Sequence, residues 1–375
     1  MSSSVALLAS ILTEQDACWP DADPPAEQEF LAAAAFHGVA PLLADELDSR
    51  SHGCPPSIQC AIHTERTKAA TITLIREREL VTVLDRLASS RIQPVLIKGA
   101  ALAHAHYEQP YLRPSFDIDL FVDRDEMDRI GRVFEAEGYR RSQQVSGDLV
   151  MPQMDYEKKD HRGAWHIYDV HWKLASPQAF AHLLTYSDLA ADAVAIPALG
   201  PHARRPSDVH ALFIACVHRV AHHPGVTRLI WLYDIHLIAE RLGTAGLARF
   251  AALAMEKGVS GICATALAEA HQWFHTRLPE DLVDQLQAHS TTANEPSRSF
   301  IHSQSKVSIL LSDLKLVGGW RSRIRLLQQH VFPEPDYMFR LYHAQSRVLL
   351  PALYTHRFVT GMGKWLVNFA KGARP

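Results

Sequence analysis

Apolar residues recur every three or four positions through the first 90 residues, a spacing typical of amphipathic helices. We predict five helices there: Val5–Leu12, Gln28–Phe36, Pro41–Glu46, Ser57–Arg66 and Ala69–Ser89. The last of them is long and carries the charged run Arg76–Glu79 on one side. We expect this helix to pack across the unit that follows it.

The pattern changes after residue 90 to short apolar runs and to strict alternation, which are typical of strands. The predicted order is strand, helix, strand, helix and three strands: Pro94–Ile97, Ala100–Tyr107, Phe116–Val122, Asp123–Glu137, Tyr139–Val145, Leu149–Lys158 and Trp165–Trp172. Asp123 is a predicted N-cap, because a carboxylate accepts hydrogen bonds from the first free N–H groups of a helix. This order predicts an α+β unit.

Helical spacing returns after Pro177, and Ser207 is a predicted cap for a helix over Asp208–His223. Further helices are predicted over Arg228–Arg241, Ala245–Lys257, Gly261–Thr276, Glu280–His289 and Val307–Val317. We therefore predict the α+β class, with a small mixed-sheet core over residues 91–175. An N-terminal helical region (1–90) and a larger C-terminal helical lobe (176–375) flank this core.

Composition and charge narrow the possible functions only slightly. A chain of 375 residues is longer than one compact core usually serves, and its formal charge of −3 does not favour a nucleic-acid binder. Residues 315–330 are locally basic, so a nucleic-acid partner stays possible but is not favoured. No basic leader or long uncharged apolar run is present, so we expect neither a signal peptide nor a membrane span.

The five cysteines are scattered and odd in number, and no C-x-x-C pair occurs among them. This pattern is typical of a reducing compartment and predicts neither a disulfide framework nor a zinc site. We therefore expect the protein to be cytoplasmic.

Two carboxylates in the predicted strand Phe116–Val122 carry the strongest chemical signal. Asp117 and Asp119 are two residues apart, so on a strand they point to the same face, with Cα atoms roughly 6.5–7 Å apart. Like charges on one face repel, and Mg²⁺ is a natural counter-ion because it prefers oxygen ligands and substrate phosphates. The pair therefore predicts a metal site for phosphoryl or nucleotidyl transfer, although a solvated strand face would give the same spacing.

Other candidates lie within the same stretch of chain. Asp169 follows on a later strand with His171 on the same face, and a third acid completes the usual two-metal arrangement. Lys98 either binds phosphate or extends its ammonium out of a buried strand. Arg113 either pairs with Asp117 or binds phosphate, because a guanidinium fits both anions. Asp169 is alternatively structural, and His171 is more easily explained as an orienting residue than as a base.

These motifs together resemble the polymerase-beta-type nucleotidyltransferase superfamily. More closely, they resemble a bacterial family described as uncharacterised nucleotidyltransferases, related to abortive-infection nucleotidyltransferase toxins. The resemblance covers about residues 75–240 and depends on Leu96-Ile-Lys98-Gly99-Ala-Ala-Leu, Tyr107, Arg113, Asp117-Ile-Asp119-Leu-Phe-Val, Asp169-Val-His171-Trp172 and Arg228-Leu-Ile-Trp231-Leu-Tyr-Asp234. It implies Mg²⁺- or Mn²⁺-dependent transfer of a nucleoside monophosphate from a triphosphate, with ATP the expected one, and release of pyrophosphate.

The resemblance also implies roles for single residues. Asp117 and Asp119 would be metal ligands, and Asp169 would be a ligand or the base that activates the acceptor hydroxyl. Backbone N–H groups at Gly99 and Ala100 would hold the triphosphate with Lys98, Arg113 and His171 nearby. The family's usual turn is Gly-Ser or Gly-Gly, and Gly99-Ala100 departs from it.

Several alternatives stay open from the sequence. The slightly negative net charge favours a small molecule, a peptide or a protein as the acceptor. The alternative is an RNA-modifying toxin that acts on tRNA. A non-catalytic nucleotide-binding pseudoenzyme is a further reading. His218 and His222 share a helix face and, with Asp234 and His236, predict either a metal site or contacts between the helical lobe and the core. We favour the contacts.

Overall fold

The structure is a computed structural model that describes residues 3–13, 19, 23–50, 53–142, 147–223, 225–302, 306–333, 335–344 and 346–360. The first six helices are α1 Ser3–Leu12, α2 Pro24–His37, α3 Ala40–Arg50, α4 Pro56–Ser89, α5 Lys98–His106 and α6 Met127–Ala136. Those that follow include α7 Gln178–Ala181, α8 Tyr186–Ala191, α9 Asp208–His222, α10 Leu229–Glu256, α11 Ser260–Phe274, α12 Leu282–Thr292, α13 Ser299–His302, α14 Lys306–Leu316, α15 Trp320–Val331 and α16 Pro335–Leu341, and residues 350–360 are also helical. The strands are β1 Val95–Ile97, β2 Ile118–Phe121, β3 Arg140–Arg141, β4 Gln153–Lys159, β5 Trp165–His171, β6 Val194–Ala195 and β7 Arg204–Arg205.

Five strands form one mixed sheet in the order β1-β2-β5-β4-β3. β2 and β5 are parallel, with Asp119 opposite Asp169, and the other neighbouring pairs are antiparallel. The α+β class is confirmed, with N-terminal helices before the sheet and a helical region after it. The domain boundaries at residues 90 and 175 stay predictions.

The two faces of this sheet pack against different helices. Leu120 and Val170 face a core that also contains Leu84 of α4, so the long N-terminal helix packs across the sheet as predicted. Ile97 and Phe121 face the opposite way, into the core of the C-terminal helices. Because side chains alternate along a strand, the odd-numbered residues of β2 and β5 lie on the side of the helical lobe.

A third core joins the N-terminal helices to the start of α10. Phe30 and Ile58 pack there with Leu229 and Leu232. The described cysteines are free, and Cys18 lies outside the described residues. Among the described helices, no single one is both long and apolar enough to cross a membrane.

Some predicted bounds differ from the structure. The two helices predicted over residues 57–89 are one helix, α4, because no glycine or proline interrupts the chain between them. The two predicted around Gly243 were separated correctly, since this residue has a non-helical backbone inside α10. Strand prediction over Tyr139–Val145 was too long at its described end, where β3 stops at Arg141; residues 143–146 lie outside the described part.

The predicted caps are present. Asp123 accepts a hydrogen bond from the N–H of Asp125 at 3.0 Å, and it caps a 3₁₀ turn that leads into α6. Ser207 accepts from the N–H of His210 at the start of α9. Each cap satisfies an N–H group that has no partner within the helix.

Candidate active site

A polar patch of Lys98, Asp119, Asp169 and His171 lies on the side of the sheet that faces the C-terminal helices, with Asp119 at its centre. The side chain of Asp119 is buried in the middle of β2 and accepts from Lys98 Nζ at 2.7 Å through Oδ1. His171 Nε2 lies 2.8 Å from the same oxygen and 3.3 Å from Lys98 Nζ, so the imidazole tautomer sets which of the two contacts is a hydrogen bond. The register explains the meeting: Ile97 is opposite Asp119 in the sheet, so Lys98 follows directly beside it.

Asp169 lies on β5, next to the strand that carries Asp119, and Asp155 lies on β4 beyond it. Asp155 is opposite Asp169 in the antiparallel pairing. Gln153 Nε2 donates to Asp169 Oδ2 at 2.6 Å and to Asp155 Oδ1 at 2.8 Å, so one amide bridges two carboxylates. Sequence reasoning missed Gln153 and Asp155; the signal was their alternation with the buried Met154 and Tyr156.

Asp117 lies one residue before β2, where the prediction had placed it inside the strand. Ser115 Oγ is within hydrogen-bond distance of both the carbonyl oxygen of Asp117 (2.8 Å) and its Oδ1 (3.0 Å). Burial raises the pKa of Asp117, and the charge of Asp119 raises it further. The two carboxylates are therefore close enough to repel each other.

The carboxylates of the patch do not share one electrostatic environment. Burial raises the pKa of Asp169 to about 8, and the charges of Asp119, Asp155 and Asp117 contribute in the same direction. Burial also opposes ionisation of Asp119, but the Lys98 ammonium and the His171 hydrogen bond outweigh it and hold the pKa of Asp119 well below its usual range. Burial and the Lys98 charge lower the pKa of His171, which favours the neutral imidazole.

Among the described residues, the group with suitable spacing for a metal ion is Asp119, Asp169 and His171, whose ligand atoms all lie within 4.8 Å of one another. Carboxylate oxygens suit Mg²⁺ and Mn²⁺, and one imidazole nitrogen is compatible with the latter. Asp119, Asp155 and Asp117 raise the pKa of Asp169, and the Lys98 ammonium only partly offsets them. A bound cation would reduce this repulsion further. Asp117 is not in this group, and its role as a ligand stays a prediction.

Gly99 is the second residue of α5 and is packed closely against the loop before β2. A Cβ atom at this position would lie 2.6 Å from Ser115 Oγ and 3.4 Å from Arg113 Nη1, so only glycine allows this approach. The N–H groups of the first helical turn, including those of Gly99 and Ala100, have no acceptor within the helix. An anion at that end of α5 would receive them.

Arg113 forms a buried ion pair that the sequence did not indicate. Its Nη2 lies 2.8 Å from Asp234 Oδ2, and its Nε is within 3.2 Å of both carboxylate oxygens. Tyr107 donates to Asp234 Oδ1 at 2.7 Å. The direct partner of Arg113 is therefore Asp234 of α10 rather than Asp117. Its Nη1 donates to the carbonyl of Pro114 and lies next to Gly99.

The histidines of α9 connect the helical lobe to the sheet. His222 Nε2 donates to the carbonyl oxygen of Leu174 at 2.8 Å, just beyond β5. His218 packs edge-on against Trp231, with ring centroids 5.9 Å apart. Burial and the Lys98 charge lower the pKa of His222 to about 3. These positions agree with the favoured interpretation of interlobe contacts, and neither histidine belongs to the metal group.

A cavity of about 30 Å³ adjoins these side chains, lined in part by Lys98, Arg113, His218 and Asp234. The cavity therefore reaches Lys98 and Arg113, two of the residues predicted to bind phosphate.

Comparison with known protein families gives a match over the same part of the chain. A family model described as uncharacterised nucleotidyltransferase matches residues 23–275, more than half of the chain. The matched segment contains the sheet, the carboxylates and the Arg113–Asp234 pair. No curated protein matches the chain.

Proposed function

The chain belongs to this nucleotidyltransferase family, and from that premise we propose that it transfers a nucleoside monophosphate from a nucleoside triphosphate to an acceptor hydroxyl. The acceptor oxygen forms a bond to the α-phosphorus. The bond from that phosphorus to the β-phosphate oxygen breaks, pyrophosphate leaves, and the hydroxyl proton passes to a base. The observation that carries the proposal is the spacing of Asp119, Asp169 and His171 within a matched nucleotidyltransferase segment.

The proposed metal is Mg²⁺ or Mn²⁺. Asp119 and Asp169 would hold it, with Asp117 as a third carboxylate. When bound, such an ion neutralises charge on the phosphates and stabilises the attacking and leaving oxygens. His171 keeps Asp119 oriented through the 2.8 Å contact between Nε2 and Oδ1. Such a partner fixes the direction of a carboxylate before the ion arrives.

Asp169 is the proposed proton acceptor as well as a ligand. It must be ionised to accept a proton, and a cation bound beside it would favour the ionised form. Gln153 fixes its orientation by donating to Oδ2 at 2.6 Å, which leaves Oδ1 for the ion or the proton.

The triphosphate is proposed to lie at the start of α5. The N–H groups of Gly99 and Ala100 would donate to phosphate oxygens, and Lys98 would supply a positive charge. Arg113 would contribute through Nη1, since its other nitrogens contact Asp234. ATP is the proposed triphosphate. The free cysteines fit a cytoplasmic location, and the chain's formal charge of −3 favours a small-molecule, peptide or protein acceptor.

The test is a nucleotide panel with the full-length protein. Each α-labelled triphosphate is supplied with Mg²⁺ or Mn²⁺, and pyrophosphate release and label transfer to cell-extract acceptors, including tRNA, are followed. Asp117→Asn and Asp119→Asn should abolish transfer, whereas Asp128→Asn, an exposed acid on α6, should not. Equal activity in all four proteins would refute the assignment.

A non-catalytic nucleotide binder is the second candidate. The observation in its favour is the Lys98–Asp119 ion pair at 2.7 Å, which neutralises a proposed ligand without any metal. Metal-independent nucleotide binding with no pyrophosphate release would support this candidate over the enzyme.

A further inference from the structure

The loop of residues 113–117, between α5 and β2, is held from three sides. Arg113 is fixed at one end by the buried Asp234 of α10. In the middle, the carbonyl oxygen of Ser115 accepts from Arg76 Nη1 of α4, and Ser115 Oγ rests against Gly99 of α5. Three helices from three parts of the chain therefore converge on this one short loop.

Polar contacts dominate the placement of this loop because apolar packing is weak there. Residues 113–117 belong to no helix or strand, and the side chain of Phe116 is 77% exposed. Asp117, which follows Phe116, faces the repelling charge of Asp119. Without a restraint, repulsion favours rotation of the Asp117 carboxylate away from its neighbour. Ser115 opposes that rotation through the 3.0 Å contact between Oγ and Oδ1.

We propose that Arg76 and Ser115 are positioning residues that hold the Asp117 carboxylate beside Asp119 for metal binding. Arg76 fixes the backbone of Ser115, and Ser115 in turn fixes the side chain of Asp117. This inference rests on the proposed function, since it assigns Asp117 to the same metal site. It also links the N-terminal helix α4 directly to the chemistry of the sheet.

The experiment measures Mn²⁺ affinity of the full-length protein by electron paramagnetic resonance, together with the thermal midpoint of unfolding. Arg76→Met and Ser115→Ala should each weaken Mn²⁺ binding by about tenfold, the usual size of effect for residues that orient ligands. Arg76→Lys should restore most of the affinity, because an ammonium can still donate to the Ser115 carbonyl. Arg78→Met, an exposed arginine of the same helix, is the matched control and should bind normally.

The outcomes separate this inference from the proposed function. If wild-type protein binds Mn²⁺ and both Arg76→Met and Ser115→Ala bind it equally tightly, the inference is overturned and the proposed function is not. Wild-type protein that does not bind Mn²⁺ would overturn the proposed metal site and the inference with it. An affinity loss that simply follows the thermal midpoint would show a structural role and also overturn it. If Arg76→Met does not fold, Ser115→Ala decides, because it removes one hydroxyl only.

Discussion

The two faces of the sheet differ in the side chains that β2 and β5 place on them. On one face, Leu120 and Val170 pack in an apolar core beneath α4. On the other, Asp119 and Asp169 occupy neighbouring positions of the same strands and repel each other. Both faces therefore stabilise the fold through buried apolar area, and the face towards the C-terminal helices also holds neighbouring carboxylates together.

This difference predicts that substitutions one residue apart in β2 will have unrelated effects. Changes on the acidic face should alter metal binding and activity, while changes on the apolar face should alter stability.

Asp119→Asn should have the largest effect. It removes the charge of the central proposed metal ligand. If the transition state loses about 4 kcal/mol of stabilisation by the metal, the rate falls roughly 10³-fold. Label transfer from an α-labelled triphosphate measures it. Asp128→Asn is the control on α6, and a rate within a few-fold of wild type in Asp119→Asn would contradict the expectation.

Leu120→Ala tests the opposite face one residue later. Leu120 is fully buried, so truncation should lower the free energy of unfolding by about 2–5 kcal/mol. Urea denaturation measures this loss. The Mn²⁺ affinity of the folded protein should stay near the wild-type value, and a tenfold loss of affinity without loss of stability would show that the faces are not separate.

Gly99→Ala should have a moderate effect on both properties. The new Cβ would lie 2.6 Å from Ser115 Oγ, so the loop before β2 must shift, at a cost of about 1–3 kcal/mol. We expect weaker Mn²⁺ binding and a lower thermal midpoint. Because the obstacle is partly the hydroxyl, the double variant Gly99→Ala/Ser115→Ala should recover some thermal stability; no recovery would place the strain elsewhere.

The pH dependence of metal-free protein should follow the charge of the Asp169 carboxyl. The folded-state pKa of Asp169, about 8, lies above the ordinary value of 3.8, so the folded protein holds a proton that the unfolded chain releases. This stabilisation is complete below pH 3.8 and is lost as the pH rises through 8. In EDTA, the urea midpoint should fall between pH 5 and pH 8.

Asp169→Asn provides the control for that pH profile. The amide does not titrate, so the fall in the urea midpoint should be smaller in the variant than in wild type. Identical slopes in the two proteins would mean that Asp169 is an ordinary, solvated carboxylate.

Much of the fold followed from local patterns. The order of strands and helices over residues 91–175 was predicted because apolar spacing separates period two from period 3.6. The caps Asp123 and Ser207 were predicted because each acts on N–H groups a few residues away. The error at the two halves of α4 arose because a helix without a breaker continues wherever packing supports it.

The candidate site was predictable only in part. Asp119, Asp169 and His171 could be proposed because alternation in a strand fixes the face of each side chain. The alternation in β4 likewise puts Asp155 and Gln153 on one face. Their contact with Asp169 depends on the pairing of β4 with β5, which the sequence does not show. Arg76 and Asp234 carried no such signal, since their partners lie 39 and 121 residues away.

By itself, the sequence determined the class of fold, the strand positions of Asp119 and Asp169, and the family to which the chain belongs. Only the tertiary structure decided that Lys98 neutralises Asp119, that Arg113 pairs with Asp234, and which side chains restrain the loop before Asp117. The physical reason is range. Hydrophobic period and capping act over a few residues, whereas the partner of a buried charge is whatever side chain the packing of distant elements brings within about 3 Å.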